Sequence, residues 1–246
     1  MKIIILAAGK GERLMPLTRN TPKPLLDMGN GFTLMEEQIS RIKTSAVIHE
    51  IVLVTGFFAD KIESKVRHLQ ELGIKISTIY NPFYDISNNL ISLWLARHEM
   101  NGDFLITNGD NLFSPEIFSG LVNNSRNGIF LSVCKKDRFD DDDMKVKLDG
   151  EKVTRVHKSL SIAESNAESP GLVLVSGDEA NKFFKTSLDQ LIRHESSRHC
   201  FWLEIFNFMH GKGFDIKPFW FDARWKWQEV DFHLDMDKAR ELLRIK

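Results

Sequence analysis

Ile3 to Ala8 is apolar throughout and runs straight into Gly9-Lys10-Gly11 and Glu12-Arg13-Leu14. No other stretch constrains the fold as tightly. An apolar run this short is a buried strand, since it is too short for a secretory leader and far too short to span a bilayer. A strand that ends in glycines leaves backbone N–H groups open to the close approach of an anion. The chain therefore begins as an α/β protein whose first loop is built to receive negative charge.

The rest of the first half continues the alternation. Ile51–Thr55, Ile74–Ile79, Phe104–Thr107 and Ile129–Cys134 read as further strands. Between them, Leu34, Met35, Ile39 and Ile42 share one face at helical spacing, as do Ile62, Val66 and Leu69, and Ile91, Trp94 and Leu95. Such alternation predicts a mixed, mostly parallel sheet covered by helices on both faces. The second half is less regular. Asp149-Gly150 predicts a hairpin between Val146–Leu148 and Val153–Val156. Leu172–Val175 predicts a buried strand, and Ala180–Ile192, Cys200–Met209 and Leu234–Leu243 predict helices. Residues 1–246 read as a single domain with a small β lobe in the second half.

Lys and Arg total 33 against 34 Asp and Glu, a net charge of −1, which excludes a uniformly basic coat for nucleic acid. The charge is segregated nonetheless. Residues 1–24 carry Lys2, Lys10, Arg13, Arg19 and Lys23 against Glu12 alone, a local +4 suited to a triphosphate. Two cysteines, Cys134 and Cys200, make neither a disulfide framework nor a zinc knuckle. Reduced cytosol is the expected compartment, with no membrane association and with self-association left open.

The glycine turn lacks the third glycine of the dinucleotide-binding fingerprint and the Gly-Lys-Ser/Thr ending of the Walker loop. The full stretch is Leu6-Ala7-Ala8-Gly9-Lys10-Gly11-Glu12-Arg13-Leu14, followed by Pro16, Thr18 and Pro22-Lys23-Pro24. It resembles the nucleotidyltransferase superfamily that makes NDP-sugars and CDP-alcohols. The resemblance implies a Rossmann-like nucleotidyltransferase fold in which residues 1–135 bind nucleotide and 136–246 bind the acceptor. It also implies that Leu6, Ala7, Ala8, Gly9 and Gly11 wrap the phosphates, and that Arg13 and Lys23 contact them as the catalytic cations.

Nucleotidyl transfer depends on charge neutralisation, and Mg²⁺ is held by one or two carboxylates together with phosphate oxygens. Asp110 follows the strand Phe104–Thr107 through Asn108-Gly109, at the kind of strand end where open α/β sheets place ligands. The resemblance makes Asp110 a metal and nucleotide ligand, and Asp231, in Trp227-Gln228-Glu229-Val230-Asp231, the second ligand. Glu229 and Asp235 lie close to Asp231 as competitors, with helix capping the simpler role for Asp235.

Ser87-Asn88-Asn89-Leu90-Ile91-Ser92-Leu93 resembles the Asn-Asn-x-x-Ser-Leu segment of the phosphocholine cytidylyltransferase branch, which places Asn89 near the base or ribose. Ser87 or Asn88 also suits a helix N-cap. Asp143-Met144-Lys145-Val146 and Val156-His157-Lys158 resemble acceptor segments, which makes Lys145 and Lys158 candidates for the acceptor phosphate. Trp202, Trp220, Trp225 and Trp227 offer core packing or an aromatic cage for a quaternary ammonium, with Trp202 and Trp227 the acceptor candidates and Glu204 or an acid of 140–143 beside them. His194 and His199 are five apart and miss the spacing of a helical zinc pair.

These residues together predict a Mg²⁺-dependent transfer from CTP to a small phosphorylated or phosphonate acceptor such as phosphocholine. A sugar-1-phosphate nucleotidyltransferase is the neighbouring reading. A nucleotide-binding regulatory protein without turnover is the reading from another class.

Overall fold

The computed structural model describes residues 1–244. In chain order the elements are β1 (Lys2–Leu6), α1 (Leu34–Thr44), β2 (Glu50–Thr55), α2 (Ala59–Glu71), β3 (Ile76–Tyr80), α3 (Asn89–Leu95), β4 (Phe104–Asn108), β5 (Asn111–Phe113) and α4 (Pro115–Asn124). The second half adds β6 (Gly128–Val133), β7 (Lys145–Asp149), β8 (Lys152–Val156), β9 (Ala167–Glu168), β10 (Val173–Ser176), α5 (Asp178–Leu191), α6 (Glu204–His210), β11 (Ile216–Trp220), β12 (Trp227–Glu229) and α7 (His233–Arg244).

Ten strands form one sheet in the order β3-β2-β1-β4-β10-β6-β11-β8-β7-β9. β3, β2, β1 and β4 run parallel, β10 is wedged antiparallel between β4 and β6, and β11 is again parallel to β6. The β7–β8 hairpin turns where Asp149-Gly150 predicts it, with Gly150 at φ 57°. It continues the main sheet through one bridge, Ile216 to Val153, so the β lobe is the far end of the same sheet.

The middle of the sheet is buried on both faces because β1, β2, β4, β6 and β10 are mostly apolar, whereas β3, β7, β8 and β11 also carry exposed positions. Ile3 and Ile5 point into a core shared with Met35, Ile39 and Ile42 of α1, Ile62 and Val66 of α2, and Phe118 of α4. Ile4 and Leu6 point the other way, toward Leu90 and Leu93 of α3, Phe184 of α5 and Phe206 of α6. At about 1.5–3 kcal/mol per buried aliphatic side chain, these two faces dominate the stability of the fold. Leu14, Leu34, Leu112 and Val230 form a third cluster with Met236 and Ala239 of α7.

The expected boundaries shift in places. The strand expected at Ile74–Ile79 lies at Ile76–Tyr80, because Gly73 (φ 81°) ends the preceding helix and the chain pairs with β2 only from Ile76. The helix expected from Cys200 begins at Glu204, since residues 195–199 form a separate 3-10 turn.

Candidate active site

The turn after β1 is shaped by what surrounds its glycines. No atom lies within 4 Å of the position a Cβ would take on Gly9, so this turn is open to the cleft. Gly11 is left-handed at φ 65°, and a Cβ there would stand 3.1 Å from Thr18 Cγ2 and 3.2 Å from Lys23 Cβ. The Thr18 hydroxyl donates to the Gly11 carbonyl at 2.8 Å and ties the ends of the loop together. Leu14 is fully buried, which anchors the 3-10 turn Glu12–Leu14 and leaves Arg13 on the cleft side.

Asp110 is aimed by the strand end. The Gly109 N–H donates to the Leu6 carbonyl at 2.8 Å, and a Cβ on Gly109 would lie 2.6 Å from that of Ala7. Only glycine lets the turn press this closely on β1. From α1, buried Gln38 donates its side-chain N–H groups to the Asn108 and Asn111 carbonyls, both at 2.9 Å, bracing the two sides of the Asp110 turn. Helix α1 is itself fixed by a capping box between Thr33 and Glu36.

Asp231 arrives from far along the chain through a two-stranded ribbon. β12 pairs antiparallel with β5, setting Glu229 opposite Asn111, and the Val230 N–H donates to the Asp110 carbonyl at 3.0 Å. The Lys23 ammonium then sits between the two aspartates, 2.8 Å from Asp110 Oδ2 and 2.6 Å from Asp231 Oδ1. Arg13 donates to the other Asp231 oxygen at 3.0 Å. One carboxylate oxygen from each of Asp110, Glu229 and Asp231 lies within 4.8 Å of the others.

The charges of this cluster hold one another in place. Burial alone would lower the Lys23 pKa, but Asp110 and Asp231 hold it above the ordinary lysine value. Burial would raise Asp231, but Lys23 and then Arg13 hold it below the usual carboxylate range. Glu229 is pushed up to about 8, first by burial and then by repulsion from Asp110 and Asp231. A divalent cation fits these groups. Asp110 Oδ1 is buried with no hydrogen-bond partner, and hard oxygen donors converge on one point.

These groups open into a cleft of about 460 Å³. It takes in the turn from Leu6 to Arg13, Lys23, Asn89, Asp110, Lys158 and Asp231, so most of the predicted site converges. Asn88 caps α3 by accepting from the Asn89 N–H, and the Asn89 side-chain oxygen accepts from the Trp202 N–H at 2.8 Å.

Three acceptor expectations need correction, because these side chains do not line the cleft. Lys145 is 4% exposed and its ammonium donates to the Lys158 carbonyl at 2.8 Å, which makes it a structural tie between β7 and the segment after β8. Trp202 is 1% exposed and its indole N–H donates to Asn108 Oδ1 at 2.9 Å. Trp227 stacks on Phe113, and Trp225 stacks on Phe219. Among these tryptophans the structure assembles no cage. Near His194 and His199 no metal cluster forms among the described residues.

Asp142 falls within the acids of 140–143 expected near the acceptor, but its cationic partners were not foreseen, and Phe201 and Lys10 lay outside the expected set. Asp142 accepts from Arg13 at 3.1 Å and from Lys158 at 3.4 Å. Phe201 lines the cleft under the Lys158 ammonium, 5.1 Å from its ring centroid. Lys10 pairs with Asp85 across the mouth of the cleft. Gln38 lay outside it too, and its apolar helix face is the only signal it gives: a polar residue at a core position must be satisfying something buried.

No helix among the described residues is long and apolar enough to cross a membrane. A family model described as "Nucleotidyl transferase" matches residues 2–129, just over half of the chain. The choline-phosphate cytidylyltransferase of Streptococcus pneumoniae is 32% identical over 140 residues, which is 56% of this chain and 58% of that protein. The chain thus matches little more than half the length of this relative. The inositol-1-phosphate CTP transferase from T. maritima superimposes with a TM-score of 0.81 at 21% identity, covering 98% of this chain and 94% of that one. The CTP:phosphocholine cytidylyltransferase structure from S. pneumoniae gives 0.74 at 24% identity, covering 99% of both chains. At these identities the structural likeness is one of fold.

Proposed function

The chain belongs to the nucleotidyl transferase family, and from that membership and the site geometry we propose that it transfers a cytidylyl group from CTP to a small phosphorylated or phosphonate acceptor, releasing pyrophosphate. The observation that carries the reading is the Lys23 ammonium held between Asp110 and Asp231 beside an open glycine turn. The two relatives with cytidylyltransferase names and the Asn88-Asn89 segment support CTP.

In this mechanism an acceptor oxygen attacks the α-phosphorus of CTP in line. The new P–O bond forms as the bond to the β-phosphate bridging oxygen breaks, and pyrophosphate carries away the electron pair. Asp110 and Asp231 would hold Mg²⁺, which supplies neutralisation of the phosphate charge when bound. Backbone N–H groups of the Gly9–Gly11 turn meet the phosphates from the Gly9 side, where the space beside the turn is open. Arg13 and Lys23 stabilise the charge that builds on the leaving pyrophosphate, the kind of preorganised electrostatic contribution that often dominates catalysis. Lys158 orients the acceptor phosphate from the other wall. No enzyme nucleophile is required. The compartment consistent with these substrates and with free thiols is the cytosol.

The test is a panel of CTP, UTP, dTTP and GTP against phosphocholine, 2-aminoethylphosphonate and glucose 1-phosphate, with Mg²⁺. Pyrophosphate release and product mass are read together. A CDP- or CMP-linked product from CTP is expected. Preference for the sugar phosphate would replace this reading with NDP-sugar synthesis. CTP binding without any product would replace it with a regulatory role.

A further inference from the structure

A single carboxylate oxygen joins the two walls of the cleft. Asp142 Oδ1 accepts from Arg13, on the turn after β1, at 3.1 Å and from Lys158, after β8, at 3.4 Å. Both cations face the space where phosphates would lie, so Asp142 holds the position of a phosphate oxygen. Its own loop is pinned from behind. Asp143 is 8% exposed, accepts from Lys136 at 2.7 Å and accepts from the Asp140 N–H at 2.7 Å. Lys136 also reaches Glu168 on β9 at 3.3 Å. The anchor is thus buried while the Asp142 side chain stays 48% exposed, free to leave once its cations find another anion.

We propose that Asp142 is an internal placeholder anion for the two phosphate subsites, released from Arg13 when nucleotide phosphates take that cation, so that the acceptor displaces it from Lys158 more easily once the nucleotide has bound. This rests on the cytidylyl-transfer reading for the identity of the acceptor. Without ligand, the placeholder keeps Arg13 and Lys158 from repelling one another across the cleft. With nucleotide bound, Arg13 trades one oxygen anion for another and Asp142 keeps a single weak partner. Its displacement by an acceptor phosphate then costs less, which makes the two substrates cooperate.

The experiment compares wild type with Asp142→Asn and with Asp141→Asn. The latter removes the same charge from the same exposed loop without a contact to either cation. Binding of inorganic tripolyphosphate is measured by calorimetry, and acceptor KM is measured in the transfer assay. Asp142→Asn is expected to bind tripolyphosphate about two- to tenfold tighter than both wild type and Asp141→Asn, the range set by partly exposed ion pairs. Acceptor KM should fall by a similar factor with little change in kcat. Affinity equal to that of Asp141→Asn overturns the proposal, as does weaker binding, which would mean that Asp142 itself touches the ligand. If the wild type transfers no nucleotide while the tripolyphosphate difference stands, the transfer reading fails and the placeholder remains. If transfer is robust and no such difference is seen, the placeholder fails and the transfer reading remains.

Discussion

Replacing Lys23 by Met keeps most of the aliphatic stem that packs on Gly11 and removes only the charge. Two carboxylates then face each other with oxygens inside 4.8 Å. At an effective dielectric near ~20, charges at that separation repel by about 3.5 kcal/mol, and breaking a buried ion pair costs about 3–5 kcal/mol. Arg13 keeps its 3.0 Å bond to Asp231, so the lower end of that range applies. For a chain of this size about 2–4 °C is lost per kcal/mol, which predicts a Tm drop of roughly 6–14 °C in EDTA. Mg²⁺ should reverse part of it, because the ion can neutralise the two carboxylates that have lost their ammonium. At a hundredfold excess over its Kd the recovery is about 2.7 kcal/mol. In the wild type the ammonium already neutralises the aspartates, so its Tm should respond less to Mg²⁺. Differential scanning fluorimetry of both proteins, with EDTA and across a Mg²⁺ titration, measures this directly. A variant with wild-type Tm in EDTA would refute the electrostatic argument. Equal Mg²⁺ responses in the two proteins would refute the claim that the Lys23 charge weakens the pull of the aspartates on a cation.

Three further outcomes are expected. Gln38→Leu should lose about 1–3 kcal/mol, because two buried carbonyls lose their donor, and kcat should fall more than KM rises as the Asp110 turn loosens; urea melts and steady-state kinetics check both. Glu229 titrates near 8 when folded and near the ordinary carboxylate value when unfolded, so the folded state binds the extra proton between these values. Without divalent cation, stability should therefore fall as pH rises from about 4.5 to 8, and Glu229→Gln should flatten that slope in melts run across the range. The Cys134 thiol, pushed up to about 12 by burial and the neighbouring Glu168, should resist iodoacetamide at pH 8 in the folded protein and react once unfolded, as read by mass spectrometry.

The alternation of apolar strands with amphipathic helices was legible in the first half because its central strands β1, β2, β4 and β6 are buried on both faces and helices such as α1 and α2 on one. That Arg13 and Asp110 face one cleft was legible for a different reason: a strand followed by a glycine turn is a local pattern that survives in one dimension, whereas Lys23 was picked out by the family resemblance. Short pairings were not. β5 and β12 are three residues each and carry no periodicity, yet their ribbon delivers Asp231. β11 contains Pro218, which argues against a strand, and it sits past the single bridge to β8, where one side of the strand has no partner. The tryptophans left core and cage both open because aromatic residues serve either, and only their burial distinguishes the two. Lys145 misled because a long cationic stem can end on a carbonyl as readily as on a ligand.

The β5–β12 ribbon also bears on the order in which the molecule becomes competent. Lys23 meets Asp110 across 87 positions of sequence but meets Asp231 across 208. Closing so long a loop is entropically slow and is rewarded only once both partners are in place. A chain emerging from the ribosome would fold its first sheet and glycine turn, and pair Lys23 with a single aspartate, well before β12 is made. The second carboxylate is thus supplied last. Until β12 has been made and has docked on β5, a partly made chain has the glycine turn and Lys23 but only one of the two aspartates, so the cluster proposed to do the chemistry is still incomplete.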